Sequence, residues 1–238
     1  MRVLITNDDG INAPIIKALA KRMSEIAEVT VVAPKFEQSG RSQAIDFRRK
    51  IEIIPVDFGE NIEAYSMDST PADCVRYGVV GLGKSYDLVV SGINCGYNLG
   101  NDIAYSGTIG AILEGARLGM RGIALSADDK HLFDALDLLH TVFEFIKNNK
   151  LFNHTSLLNI NMPPEVKGFS ITRQGGDYFS DDFEKCEGDL YIQIGEPPTD
   201  PPTDPNVDID AVAMSLISIT PLTYIRTDLK AFDELKTK

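Results

Sequence analysis

The chain has no tryptophan, only three cysteines and three histidines in 238 residues, and few positive charges: 23 Lys and Arg stand against 35 Asp and Glu, a formal charge of −12. Cys74, Cys95 and Cys186 lie far apart with no CxxC pair, which excludes a disulfide framework and a cysteine-based zinc site. The acidic balance argues against a basic nucleic-acid groove, so no nucleic-acid duplex is expected as a partner, and against an anchor on anionic membranes. No apolar run approaches the ~18 residues of a membrane span. The N-terminus turns acidic at Asp8-Asp9, too soon for a signal peptide, and a reducing cytoplasm is the expected compartment. GxGxxG is absent, so there is no dinucleotide fingerprint. His131, His140 and His154 sit outside the glycine-rich loops, which weakens Ser-His-Asp and histidine-nucleophile schemes. What remains is ordinary for a globular protein: 43% hydrophobic and 24% charged residues.

The order of elements predicts an α/β fold. Residues 2–6 form a short apolar run ending in Asn7-Asp8-Asp9-Gly10, read as a buried strand and a turn. Pro14 opens a helix whose apolar face is Ile15, Leu19, Met23 and Ile26. Val29 to Ala33 is a second buried strand, and strand-helix-strand within about 33 residues implies a parallel βαβ unit. Strand-like pieces follow at 50–54 and 63–67. A capped helix is predicted from Thr70-Pro71-Ala72-Asp73 to about Leu82, then strands over 87–91, 122–126 and 157–162 alternating with helices over 106–119 and about 132–146. The fold predicted is a Rossmann-like, doubly wound, mostly parallel sheet with a C-terminal β-hairpin or extended arm. Residues 1–165 form the α/β catalytic core, and 166–238 an arm and tail of the same structural domain. In 196–210, Pro-Pro-Thr-Asp occurs twice in tandem without any Lys or Arg, a composition suited to a loop or arm rather than a core. Calcium binding by its aspartates is a lesser reading, since the prolines suit an extended arm better. Material of this kind often serves oligomerisation.

Three predicted strand ends carry the polar residues that suit chemistry. Asp8 and Asp9 are adjacent carboxylates at the carboxyl end of the first strand, where open α/β sheets bind ligands. Side by side they repel unless protonated or neutralised, and a hard cation such as Mg²⁺ or Mn²⁺ suits them; alternatively, one caps the turn and the other faces solvent. After the strand at 87–91, Asn94 and Asn98 sit in a glycine-rich loop leading to Ser106-Gly107-Thr108. Hydroxyls, free N–H groups and the positive end of a helix dipole there suit an anion, although Ser106 alone could be a plain N-cap. A third loop, 37–42, follows the second strand. Metal-assisted phosphoester hydrolysis is the reaction these parts suit. A metal-activated water and direct attack by Asp8 both fit as nucleophile; the water is preferred because aspartates engaged as ligands are poor free nucleophiles. Gly78 to Ser85 matches GxxxxGK[ST] literally, but it follows a helix and precedes a strand, the reverse of a phosphate loop's context.

These motifs together resemble the stationary-phase survival protein (SurE) family of 5′-nucleotidases. The carrying residues are Asn7 to Gly10 with Ala13-Pro14, Val32-Ala33-Pro34 with Gln38-Ser39-Gly40, Thr70 to Val75, and above all Ser91-Gly92-Ile93-Asn94 through Asn98, Gly100 and Asp102 into Tyr105 to Thr108. Asn159-Ile160-Asn161, Thr172-Arg173 and Ser218 to Leu222 also match. Ile15 and Ser69 stand where the family usually has glycine, and the Pro/Asp repeat is unusual. The resemblance implies a cytoplasmic phosphatase acting on nucleoside 5′-monophosphates, a Rossmann-like core, and a homodimer or homotetramer. It also implies one divalent cation, Mg²⁺ or Mn²⁺ with Ca²⁺ able to replace it in a crystal, held by Asp8, Asp9, Ser39 and Asn94. Asp8, Asp9 and Asn94 are the catalytic candidates; Ser39, Asn98, Ser106, Gly107 and Thr108 are the candidates for the phosphate site.

Overall fold

Strand β1 (Arg2–Thr6) is buried from Val3 onward, and an unbroken apolar run is stable only where both faces of a sheet are covered. The computed structural model, which describes residues 1–59 and 62–236, places β1 in the interior of a nine-stranded sheet. Its parallel neighbours are β2 (Glu28–Pro34) and β5 (Leu88–Cys95). Beyond β2 lies β4 (Glu63–Met67), and beyond β5 lie β6 (Arg121–Ala127) and β7 (Leu157–Met162), all parallel. The chain therefore winds outward from β1 to one side, then returns and winds to the other. This is the doubly wound order expected from the sequence, with its switch point between β1 and β5. β3 (Ile53–Pro55) closes one edge antiparallel to β4. At the other edge β11 (Leu216–Leu222) runs antiparallel to β7, and β8 (Gly168–Ile171) parallel to β11.

Alternate strand residues point to opposite faces, and two apolar layers follow. Val3 and Ile5, with Leu88 and Val90, pack against α1 (Pro14–Ser24) and α4 (Asp134–Asn148). Leu4 and Val89 pack on the other face, with α2 (Pro71–Arg76) and α3 (Gly107–Arg117). Each fully buried aliphatic side chain contributes about 1.5–3 kcal/mol, so two complete layers suffice without disulfides. Pro14 opens α1 as expected. Ile26, however, is 63% exposed: α1 ends at Ser24, and Ile26 falls on the turn beyond it, off the buried face.

Thr70 caps α2, its Oγ1 accepting from the Asp73 N–H at 3.2 Å. The chain continues through a wider helical turn at Tyr77–Gly81 and leaves it at Gly83, whose φ of +63° is left-handed. Lys84 then pairs with Glu63 at the start of β4, on the amino edge of the parallel strands. The GxxxxGK[ST] match is thus a helix terminus on the edge remote from the switch point.

After β8 the chain forms an exposed hairpin of β9 (Asp182–Lys185) and β10 (Tyr191–Ile194), a two-stranded sheet of its own. The Pro/Asp repeat follows. The expectation of loop through residue 210 needs correction, because α5 (Asp208–Ala213) begins inside it. Asp208 is fully buried, accepting from the N–H groups of Gly100, Gly175 and Ile209. Asp210 accepts from the N–H groups of Thr203 and Asp204, both at 2.8 Å. These two carboxylates fold the arm by binding its backbone. A short helix, α6 (Leu229–Leu235), ends the described chain, with Asp228 as its cap.

Replacing Lys84 by Ala removes only a half-exposed ion pair. Stability should fall by no more than about 1 kcal/mol in urea unfolding, with phosphate release unchanged; loss of activity would restore the phosphate-loop reading.

Candidate active site

The carboxyl ends of β1 and β5 meet at the switch point, and three loops and a helix start converge there. Leaving β1, Asn7 turns the chain by donating from Nδ2 to the Gly10 carbonyl at 3.0 Å. The carbonyl of Asp8 accepts from the Gln38 N–H at 2.7 Å, which ties the loop after β2 to the loop after β1. In β5 the pairing register with β6 shifts between Ser91 and Asn94, a bulge of the kind that re-aims a side chain. Gly92 makes it possible: its φ is +130°, and a Cβ would run into the Leu125 carbonyl. Asn94 emerges with its amide oxygen 3.2 Å from Thr108 Oγ1.

Thr108, in the first turn of α3, is fully buried, and its hydroxyl donates to Asp8 Oδ1 at 2.5 Å. It therefore lies beside the Asp8 carboxylate and positions it. Ser106 caps α3, its Oγ accepting from the Ile109 N–H at 3.1 Å, while also lining the cavity. At Gly107 the helix passes so close to Asp8 that a Cβ would lie 3.0 Å from the Asp8 Cβ and 3.1 Å from Oδ2.

The cavity so enclosed measures about 510 Å³ and is lined by Asp8, Asp9, Ser39, Asn94, Asn98 and Ser106. Six of the expected residues thus share one hollow, with Gly107 and Thr108 packed against Asp8. Ser39 is exposed, its hydroxyl donating to Glu37 at 2.7 Å. Asn98 is buried and anchors its loop: its N–H donates to Asn161 Oδ1, its Nδ2 to Ser126, and its carbonyl accepts from Asn159 and Asn161. The lining also includes residues to which the sequence reading gave no role in the site, Glu37, Asp102, Tyr105 and Phe179 among them. Glu37 stands two positions from Ser39, and Tyr105 directly precedes Ser106, so adjacency was a usable signal. Phe179 had none: it arrives from the arm, where its N–H donates to Asp102 at 2.9 Å.

Four lining residues are acidic and, among the described residues, none is Lys or Arg. Burial pushes the Asp8 carboxyl up, opposed by the hydroxyl and N–H of Thr108. Burial and the Asp8 charge raise Asp9 to about 6. Asp9 Oδ2 is buried without a hydrogen-bond partner, an expensive arrangement unless a cation or proton satisfies it. No group of three or more His, Cys, Asp or Glu is placed to hold a metal among the described residues. The donors here are instead two carboxylates, an amide and a hydroxyl, an all-oxygen set that fits one hard divalent cation.

A doubly wound α/β protein with a cluster of oxygen donors facing a helix N-terminus at its switch point is the class this geometry defines. The particular family follows from comparison: the family described as "Survival protein SurE" matches residues 3–181, and the chain belongs to it. The 5′-nucleotidase SurE of Thermosipho africanus is 39% identical, over 98% of this chain and 97% of that protein. The 5′-nucleotidase SurE of Legionella pneumophila is 36% identical, over 99% and 96%. The crystal structure of the SurE protein from Aquifex aeolicus superposes with a TM-score of 0.78 at 31% identity, covering 100% of this chain and 99% of that one.

Two predictions follow from the packing and the charge. Gly107→Ala should displace Asp8 by a few tenths of an ångström and weaken Mn²⁺ binding about tenfold by calorimetry, with far-UV circular dichroism unchanged; unaltered affinity would detach Gly107 from the site. Because the folded pKa of Asp9 is raised, its protonated form stabilises the metal-free fold. That contribution is complete below about pH 4 and is lost as pH rises through about 6. In chelator, Asp9→Asn should therefore gain stability relative to the parent between pH 4 and 7, read from urea midpoints. A difference that stays flat over that range contradicts the burial of Asp9 charge.

Proposed function

We propose that the protein is a metal-dependent 5′-nucleotidase that hydrolyses nucleoside 5′-monophosphates to nucleoside and phosphate. The observation that carries this reading is the carboxylate pair without a cationic partner, facing the N-terminus of α3 in one cavity. An anionic phosphate enters so acidic a hollow only with a cation between the charges. The names of the full-length relatives point to the same reaction.

Asp8, Asp9, Asn94 and Ser39 are the residues we assign to the cation. Bound there, a divalent ion supplies polarisation of the phosphoryl oxygens and a lowered pKa for an attacking water. The chain's own contribution is placement. Thr108 fixes the Asp8 carboxylate, and the bulge at Gly92 fixes Asn94. Ser39, Asn98, Ser106, Gly107 and Thr108 are the residues we assign to the phosphate, where the start of α3 offers the positive end of its dipole. Ser39 donates its hydroxyl proton to Glu37, which leaves the oxygen's lone pairs free for a cation.

The three cysteines are free thiols, which suits a reducing compartment, and the cytoplasm is the location we propose. No helix among the described residues is long and apolar enough to cross a membrane. A homodimer or homotetramer is proposed on the apolar side chains that the hairpin exposes, Phe183, Leu190, Tyr191 and Ile192 among them.

The test is phosphate release from a panel of nucleoside 5′-monophosphates with Mg²⁺, Mn²⁺ or EDTA at neutral pH. Release should stop in EDTA, and in Asp8→Asn it should fall at least about 100-fold. Full release by a folded Asp8→Asn protein would remove Asp8 from the cation.

A further inference from the structure

A second hollow of about 990 Å³ adjoins the carboxylate cavity, between the loop after β5, the loop after β7 and the Pro/Asp repeat. Tyr97 lines both hollows. Tyr178 lines the second while Phe179 lines the first, and their rings meet edge to face at 4.8 Å. The two spaces therefore meet at an aromatic seam. The second hollow has the size of a small-molecule site, and its walls combine the flat rings of Tyr97 and Tyr178 and the apolar Pro197 and Pro198 with carboxylates at Glu165 and Asp177. Among the described residues none of its lining is Lys or Arg.

This wall is built in advance of any ligand. Asp177 accepts from Asn101 at 2.6 Å and Asp102 from the Phe179 N–H at 2.9 Å. Asp208 accepts from the Gly100 N–H at 3.0 Å. The glycine-rich loop that carries Asn94 and Asn98 is thereby joined to the arm on three adjacent residues. A hollow of this character is a poor host for more phosphate, because its acidic side chains and its lack of cations repel it. It is a good host for a flat, neutral heterocycle: rings stack on aromatic side chains, and carboxylates accept from ring and exocyclic N–H groups.

We propose that this second hollow receives the nucleobase of the substrate whose phosphate sits at the start of α3, with Tyr178 as a stacking surface and the Pro/Asp repeat as the outer wall. The inference rests on the nucleotidase reading and extends it. The enzyme reads its substrate at both ends, and the repeat, which the chemistry at the phosphate does not need, is part of the specificity surface.

The experiment compares kcat/KM for adenosine 5′-monophosphate and for ribose 5-phosphate, which lacks the base, in the parent, Tyr178→Ala, Tyr178→Phe and Ala213→Trp proteins with Mn²⁺. Ala213 is exposed and lines the hollow, so the tryptophan fills it without a core change. The parent should favour the nucleotide about tenfold. Tyr178→Ala and Ala213→Trp should each erase most of that preference through KM, leaving ribose 5-phosphate turnover unchanged, and Tyr178→Phe should retain it. Equal parent efficiency on the two substrates would overturn the base site while leaving the phosphatase reading standing, as would equal losses on both in the variants. No release from either substrate by the parent would overturn the nucleotidase reading, and this inference with it.

Discussion

Two carboxylates side by side at the end of a buried strand repel each other in a medium that screens them poorly, and the architecture around them answers that repulsion. Burial raises both Asp8 and Asp9, so the pair holds protons more readily than exposed carboxylates would. The Thr108 hydroxyl and N–H at Asp8 and the Cys95 backbone at Asp9 supply local compensation. It is partial by design of the geometry: one oxygen of Asp8 is bonded, while Asp9 Oδ2 is left bare. A site compensated fully by Lys or Arg would have no need of a cation. On the nucleotidase reading, a divalent ion and a phosphate together would answer the charge that remains.

The same constraint explains why backbone shape at Gly92 and Gly107 matters as much as side-chain identity. Gly107 lets a helix terminus approach Asp8 closely enough for its dipole to be felt, an effect that fades within about one turn. Gly92 lets β5 bulge, so that Asn94 faces the carboxylates instead of continuing the alternation of its strand. The doubly wound order then does the rest, because the chains leaving the adjacent strands β1 and β5 depart to opposite faces, toward α1 and α3, and leave room between them.

Elements whose character is local were legible in the sequence. The apolar run of β1, the Pro14 start of α1 and the Thr70 cap each depend on neighbours within a few residues, and each is found where expected. The carboxylate pair and the Ser106 cap were legible for the same reason. What depended on distant partners was not. Ile26 fits the helical period, but the helix stops before it. The bond that Thr108 makes to Asp8 is set by how α3 docks on the sheet. Asp208 looks like one more acid in a solvated repeat, although it is fully buried by bonds to Gly100 and Gly175, neither near it in the chain. Phe179 reaches the site from the arm by a tertiary route that no periodicity encodes.

The bond from Gly100 to Asp208 spans 108 residues, and this separation has a bearing on how the protein is made. Translation adds about 5–20 residues per second, so the glycine-rich loop waits roughly 5–20 s after leaving the ribosome's synthetic centre before its partner even exists. Once β5 has emerged from the ribosome, β1, β2 and β5 are free to pair while the loop still has no anchor. The carboxylates can thus come together before the arm that encloses them has been made.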